Sequence, residues 1–464
     1  MCKIDKMLKR TSVFSLFIIL ALFHIRAESR MMTLYDCMEY AISKSTKIKI
    51  QKADIADKRL EIREAVLSAF TPVVNASTYA YYNFGRSIDP QTNTYFNQTS
   101  FHNNYSLSAY IDLFDGLSAV NNIKISKTGL LISQSQEKQI EADICLAVME
   151  TYYNVVYYSR LCIVYKSIVK DAEQALSLAK KQEELGVKGY ADVIQMEADL
   201  ADRQYELISS KNMANDQLMT LKALLFWDED EELNVDQSLP DFLEESFDPE
   251  MITLLAMDNN PEVKMSAWNV EISKRELRVA KWSLLPTVTL YGGWNTSYYT
   301  YSGYMAESYR NQFRNNMGEY IELGFTVPLY NRLKGVSNIQ KKKHVYNNAR
   351  LELDQKKMDI EMEVKRAIQD CEGASIAYLQ SIRKSAVQEE AFKLNQKKLE
   401  QGLISPLEFQ TANNNYLKAK SDEMNSLFKY LIKKAVVKYY SGIDYLESAK
   451  DIEYSALLKE NLGN

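Results

Sequence analysis

The stretch Ala41-Ile-Ser-Lys-Ser-Thr-Lys-Ile-Lys-Ile50 is answered 215 residues later by Ala256-Met-Asp-Asn-Asn-Pro-Glu-Val-Lys-Met265. Asp112-Leu-Phe-Asp115 returns as Pro328-Leu-Tyr-Asn331, and Gly186-Val-Lys-Gly-Tyr-Ala-Asp192 as Gly402-Leu-Ile-Ser-Pro-Leu-Glu408, both at a shift of 216. An offset this constant indicates duplication, and its period lies far outside the roughly 20–50 residues of solenoids and propellers. Each half is therefore read as one large unit. The first repeat covers 28–227 and the second 249–442, joined by an acidic linker at 228–248 that is expected outside the helical body, with a tail at 443–464.

Outward from these anchors, residues 117–183 carry one long helical pattern without a proline, and 333–400 repeat it. At ~1.5 Å per residue, either helix is roughly 100 Å long. Such lengths occur where neighbouring helices, rather than a central core, supply the packing. Shorter helical patterns cover about 33–70 and 190–226 in the first half, and about 249–284 and 406–441 in the second. Only 15 glycines and 8 prolines interrupt the 464 residues, which suits long helices.

Between its first two helical segments each half carries two strand-like stretches, 72–84 and 105–114, then 286–300 and 319–329. Tyr105, Leu107, Ala109, Ile111 and Leu113 fall on one face, with Ser106, Ser108, Tyr110 and Asp112 on the other. The copy sets Ile321, Leu323, Phe325, Val327 and Leu329 against Glu322, Gly324 and Thr326. Its partner strand sets Val288, Leu290, Trp294 and Tyr298 against Thr289, Asn295 and Ser297. Period-two alternation over about ten residues is the pattern of a membrane barrel strand, and a half-buried soluble sheet gives the same alternation. An export signal and the clustered tyrosines (Tyr79, Tyr81, Tyr82, Tyr291, Tyr298, Tyr299, Tyr301) favour the barrel, with the tyrosines as anchors at the lipid interfaces. Polar loops at about 85–104 and 301–318 suit water on the far side. Four strands cannot close a barrel, and open edges are not tolerated in lipid, so the fold requires an oligomer. Two chains would supply about 8 strands and three about 12.

The N-terminus reads as that signal: Lys3, Lys6, Lys9 and Arg10 precede an apolar run from Val13 to Phe23, and Ala27 offers a cleavage position. Residues 1–27 carry five basic side chains and one acid, so the formal charge of −5 becomes −9 for the remainder. An acidic body without a dense basic stripe excludes nucleic acid as the expected partner. Cys37, Cys145, Cys162 and Cys371 show no C-x-x-C spacing and read as buried or half-buried thiols. There is no phosphate-binding loop, no H-E-x-x-H and no G-x-S-x-G, and the three histidines (His24, His102, His344) are far apart. No enzyme activity, cofactor or metal is expected.

The duplicated N-P-E-V-K-type helix start, the L-F-D-G and L-Y-N-R strand exits, and the paired G-x-x-[GS]-x-x-[DE] turns resemble the TolC family of outer-membrane efflux and secretion ducts, over nearly the whole mature chain. The run Phe84-Gly-Arg-Ser-Ile-Asp-Pro-Gln-Thr-Asn-Thr-Tyr95 resembles the Bacteroidota form. The resemblance implies a mainly α fold with a membrane β-barrel section. A homotrimer would build a 12-strand β-barrel in outer-membrane lipid, continued by a long periplasmic α-helical barrel. It also implies a passive exit duct, supplied by a periplasmic adaptor and an inner-membrane pump of RND or ABC type. A periplasmic adaptor with its own coiled-coil hairpin is the competing reading, and it would need a Gly-rich lipoyl-like domain.

On the same resemblance the two glycine turns form the periplasmic tip. Gly186, Val187 and Gly189, with Gly402, Leu403, Ile404 and Ser405, become adaptor-docking positions. Asp192 and Glu408 match acidic gate positions, and a threefold carboxylate ring there would favour cations. The second acidic gate position is Thr411 here, and Ile404 replaces a base that Lys188 supplies in the first repeat. Lys188 is expected to pair with an acid across neighbouring hairpins. Ser405-Pro406-Leu407-Glu408 also reads as a capping box, and Asp192 as a first-turn acid, so capping alone and capping combined with gating stay open.

Overall fold

The computed structural model describes residues 31–88, 93–97, 99–228, 230–238, 242, 244–302, 305 and 307–452. The expected export signal at 1–27, part of the loop motif at 89–92 and the end of the tail at 453–464 lie outside the described residues.

Each half runs helix, strands, long helix, helix. In the first half these are α1 (Leu34–Lys44), α2 (Thr46–Phe70), β1 (Val73–Asn83), β2 (Arg86–Ile88), β3 (Tyr95–Asn97), β4 (Ser100–Phe114), α3 (Ser118–Glu184) and α4 (Tyr190–Leu225). In the second they are α5 (Pro249–Asn259), α6 (Pro261–Trp282), β5 (Thr287–Tyr301), α7 (Tyr309–Asn315), β6 (Gly318–Thr326), α8 (Lys334–Glu400) and α9 (Pro406–Tyr440). The two long helices have 67 residues each. No described helix is long and apolar enough to cross a membrane.

The chain divides into two compact units. One holds the described residues of Lys49–Ile140 and Leu254–Glu363, and its centre is an antiparallel sheet of order β1-β4-β5-β6. The register sorts most side chains, with Glu319 opposite Trp294 and Asn103 opposite Tyr298 as exceptions on the apolar face. Opposite pairs such as Ser77 with Ser106, Ser106 with Asn295 and Tyr291 with Glu322 share a polar face. Leu107 with Trp294, Ile111 with Leu290 and Leu290 with Leu323 share the apolar face. Leu113, Ile321, Leu323 and Phe325 stay exposed there. A β-bulge between Asp112 and Phe114 ends the ladder, and the chain turns into α3 through Gly116 at φ +67. A Cβ on Gly116 would meet the Trp282 carbonyl oxygen at 2.5 Å, so the close approach of α6 requires glycine.

Several sequence expectations need correction here. The helices expected at 33–70 and 249–284 are each broken, at Ser45 and Asn260, which occupy equivalent places in the two repeats. Both leave the helical conformation, and Asn260 accepts from the amides of Glu262 and Val263, so each break is a new helix start. The loop expected at 85–104 instead carries the β2–β3 hairpin, and β4 begins at Ser100 because Phe101 and His102 pair across the strands with Tyr82 and Tyr81. The loop expected at 301–318 contains α7, whose Phe313 packs on Tyr105 and Trp294. The last strand stops at Thr326, since Pro328 has no N–H for a ladder. The tyrosines also divide. Tyr82 and Tyr298 lie on the apolar face, whereas Tyr81 and Tyr299 flank His102 on the polar face.

The other unit holds the described residues of Met1–Ile48, Glu141–Thr253 and Val364–Asn464 and is helical. Met38, Val148, Met149, Leu221, Tyr430 and Val437 are fully buried in it. The acidic segment 228–248 is not detached from this body. Val235 bridges in parallel to Met32, Leu233 is buried, Phe242 stacks near Tyr378 and Tyr430, and Lys434 holds Glu245 at 2.7 Å. Scattered apolar residues and basic partners on the helices account for this docking. The tail, which carries few sequence cues, continues as helix over 445–452, with Ala449 fully buried and Tyr445 stacked on Tyr439 at 4.9 Å.

Candidate functional site

The two helical hairpin turns have nearly the same backbone for the same reason. Gly186 and Gly402 both adopt φ +72. In the first turn Gly186 N donates to Glu183 O and Val187 N to Gln182 O; in the second Gly402 N donates to Leu399 O and Leu403 N to Lys398 O. This is the Schellman arrangement, which satisfies the last carbonyls of a helix and favours glycine in the left-handed position.

Beneath the turns the four helix ends share one small core. Leu176 and Ala179 of α3, Val193 and Met196 of α4, Phe392 and Leu399 of α8, and Phe409 of α9 are buried together. Phe392 lies 5.7 Å from Phe409 and 5.0 Å from Tyr416. Ile404 packs partly against this core, so its side chain serves the fold of the turn. Val187 and Leu403, the residues after the glycines, point the other way: they are 72 % and 68 % exposed. Leu185, Tyr190 and Leu407 are exposed beside them. Leu407 has no functional signal in the sequence because a single apolar residue in a first helical turn has no pattern of its own.

The two acids differ in a way their equivalent positions conceal. Glu408 closes a capping box: Ser405 N donates to its carboxylate at 2.9 Å, and Glu408 N donates to Ser405 Oγ at 3.3 Å. Gly189 has no side chain to cap α4, and Asp192 uses only its amide, donating to Gly189 O at 3.1 Å. The Asp192 carboxylate has no hydrogen-bond or ion-pair partner among the described residues. Thr411 Oγ1 donates back to Leu407 O at 3.0 Å and so stays within its own helix. Lys188 has no ion-pair partner within the chain among the described residues, and it lines a cleft of about 120 Å³ with Asp171, Gln396, Leu399 and Glu400. Burial in this region raises the carboxyl pKa of Asp171, with Lys170 opposing. A further pair, absent from the sequence reading, lies within α4: Arg203 holds Asp199 one turn away at 2.9 Å, with side chains 5 % and 13 % exposed.

Among the described residues no group of histidine, cysteine, aspartate and glutamate could hold a metal. The site is a surface of turns, exposed apolar side chains and a free acid.

Solved structures share this fold. The outer membrane protein VceC of Vibrio cholerae superposes with a TM-score of 0.73 at 14% identity, over 89% of this chain and 96% of that one. The Campylobacter jejuni CmeC outer membrane channel gives 0.73 at 16%, over 91% and 89%. The open state of the Neisseria gonorrhoeae MtrE outer membrane channel gives 0.69 at 14%, over 90% and 88%. No curated protein matches the chain in sequence. The model of the outer membrane efflux protein family matches residues 45–225 and 254–438, one match in each repeat. The chain belongs to the outer membrane efflux protein family, as a transport duct of the outer membrane and not an enzyme.

Proposed function

We propose that this chain forms a homotrimeric, passive exit duct whose periplasmic end is closed at the two hairpin turns. The observation that carries the reading is the four-stranded sheet, apolar on one face and polar on the other, with unpaired edges at β1 and β6. Lipid does not tolerate such edges. Three copies would close them into 12 strands with the polar face inward. Residues 1–27 act as the export signal and are removed; repeats at 28–227 and 249–442 each supply one hairpin turn. Gly186, Val187, Gly189, Gly402, Leu403 and Ser405 present the docking surface for a periplasmic adaptor, and an inner-membrane pump of RND or ABC type supplies the energy.

The gate assignment shifts weight between the repeats. Glu408 is engaged in its own cap, whereas Asp192 is free to meet a charge from a neighbouring hairpin, with Lys188 the nearby base. The reading is tested in planar bilayers. Asp192→Asn should raise the closed-state conductance and weaken cation preference, while Glu408→Gln changes stability more than conductance. If Asp192→Asn leaves both conductance and cation preference unaltered, the gate is not built on this acid.

A further inference from the structure

Basic residues are concentrated where the sheet hands over to α8. The chain is acidic overall at −5, and β1, β4, β5 and β6 contain no lysine or arginine. Beyond β6, Arg332, Lys334, Lys341, Lys342, Lys343 and Arg350 follow one another with no acid before Glu352. Lys342 is held by Glu276 of α6 at 2.8 Å, which ties the start of α8 to the end of α6. Arg332, Lys334, Lys341 and Lys343 are exposed and have no ion-pair partner in the chain among the described residues. On α6, Lys274, Arg278 and Lys281 are also exposed, and their spacing of four and three places them on one face.

Folding does not explain these charges. The positive end of a helix dipole disfavours cations. Helices α4, α6 and α9 have Asp192, Glu262 and Glu408 in their first turns; α8, like α2, α3 and α7, has no acid there, and it carries Lys334 instead. Arg332 adopts φ +57 at the place where the first repeat has Gly116, a conformation that is strained for a residue with a Cβ. Just before and among the cations, Leu329, Tyr330 and Leu333 are exposed. An apolar belt followed by unpaired cations fits the boundary of a bilayer with anionic lipid. Lys334 to Lys341 covers about 10 Å along the helix, matching a headgroup layer of roughly 5–8 Å and a Debye length of about 8 Å.

We propose that the start of α8, with the basic face of α6, binds the phosphates of acidic phospholipid headgroups in the leaflet nearest the helices, setting the depth of the duct. This rests on the strands spanning the membrane. The test reconstitutes the full-length protein into nanodiscs of phosphatidylethanolamine with a minor fraction of phosphatidylglycerol and counts the phosphatidylglycerol retained after detergent extraction. Wild type should retain it above its bulk fraction. Lys334→Gln with Lys341→Gln and Lys343→Gln should lower retention several-fold for each charge that makes contact. Arg332→Gly, which restores the backbone type of the first repeat, should lose part of it without unfolding. A control triple at the exposed Lys211, Lys418 and Lys429 should retain wild-type levels. Equal retention by wild type and the α8 triple variant, or an equal loss in the control, overturns the proposal. So does displacement by excess inorganic phosphate at matched ionic strength, which would assign the site to free phosphate. A wild-type protein that enters no bilayer of either lipid overturns the duct reading itself, and this inference with it.

Discussion

Gly116→Ala tests the physical account of the strand-to-helix junction most directly. Two separate effects act at this position. Alanine at φ +67 costs about 1–2 kcal/mol, because its Cβ crowds the following carbonyl. The same Cβ would also sit 2.5 Å from the Trp282 carbonyl oxygen and 3.7 Å from Leu285 Cβ. Trp282 is backbone at the end of α6 and cannot rotate away, so the junction must shift by several tenths of an ångström, an overpacking of about 1–3 kcal/mol. Gly186→Ala separates the two effects: its φ is +72, yet nothing lies within 4 Å of the added Cβ. Loss of helical circular dichroism on heating in detergent is the assay. Gly186→Ala should lower the midpoint by a few degrees and Gly116→Ala by on the order of 10 °C, the fall expected for about 2–5 kcal/mol in a unit of this size. Equal midpoints for the two variants would refute the claim that α6 presses on Gly116.

Ser405→Ala removes the hydroxyl of the α9 capping box and should destabilise its hairpin by about 1 kcal/mol, read as faster proteolysis at the turn; no change would mean that Pro406 alone starts the helix. Burial raises the Cys145 thiol to about 12 and the Cys371 thiol to about 11, so iodoacetamide at pH 8 should leave both unmodified until the protein is denatured, as mass spectrometry of the peptides would show. Lys393 holds the Glu389 carboxyl below its ordinary 4.5, chiefly through a hydrogen bond, with burial opposing and its charge assisting. A lowered carboxylate contributes stability above its unfolded value and loses it as pH falls through the folded one. Glu389→Gln should therefore slightly flatten the melting profile below pH 4.5, and only slightly, since the pair is exposed.

Much of the duplicated plan was legible because duplication writes each feature twice. The glycine turns, the long helices and the strand exits recur at a shift of 215 or 216, and each copy checks the other. The new helix start at Asn260 is written in the N-P-E-V-K motif, whereas the break at Ser45 is not, because a short polar residue inside a helical pattern is compatible with either continuation or a fresh cap. The start of β4 and helix α7 were hidden by their polar composition. What decides them is the pairing of His102 with Tyr81 and of Phe313 with Trp294, contacts between residues far apart in the chain. At the tip, the sequence offers Glu408 a capping box and Asp192 only a first-turn place after Gly189, but not whether the Asp192 carboxylate meets a partner elsewhere.

By itself the sequence determined the type and order of the main helices and of the four long strands, the two turns and most of the alternation along each strand. These follow from local periodicity, from the backbone freedom of glycine and from repetition. Only the tertiary structure decided the strand order β1-β4-β5-β6, the docking of segment 228–248, the closeness of α6 to Gly116 and the release of the Asp192 carboxylate. Each of these depends on which distant surfaces meet. Such pairings are set by the summed packing of many weak contacts, which leave no signature in any one stretch of chain.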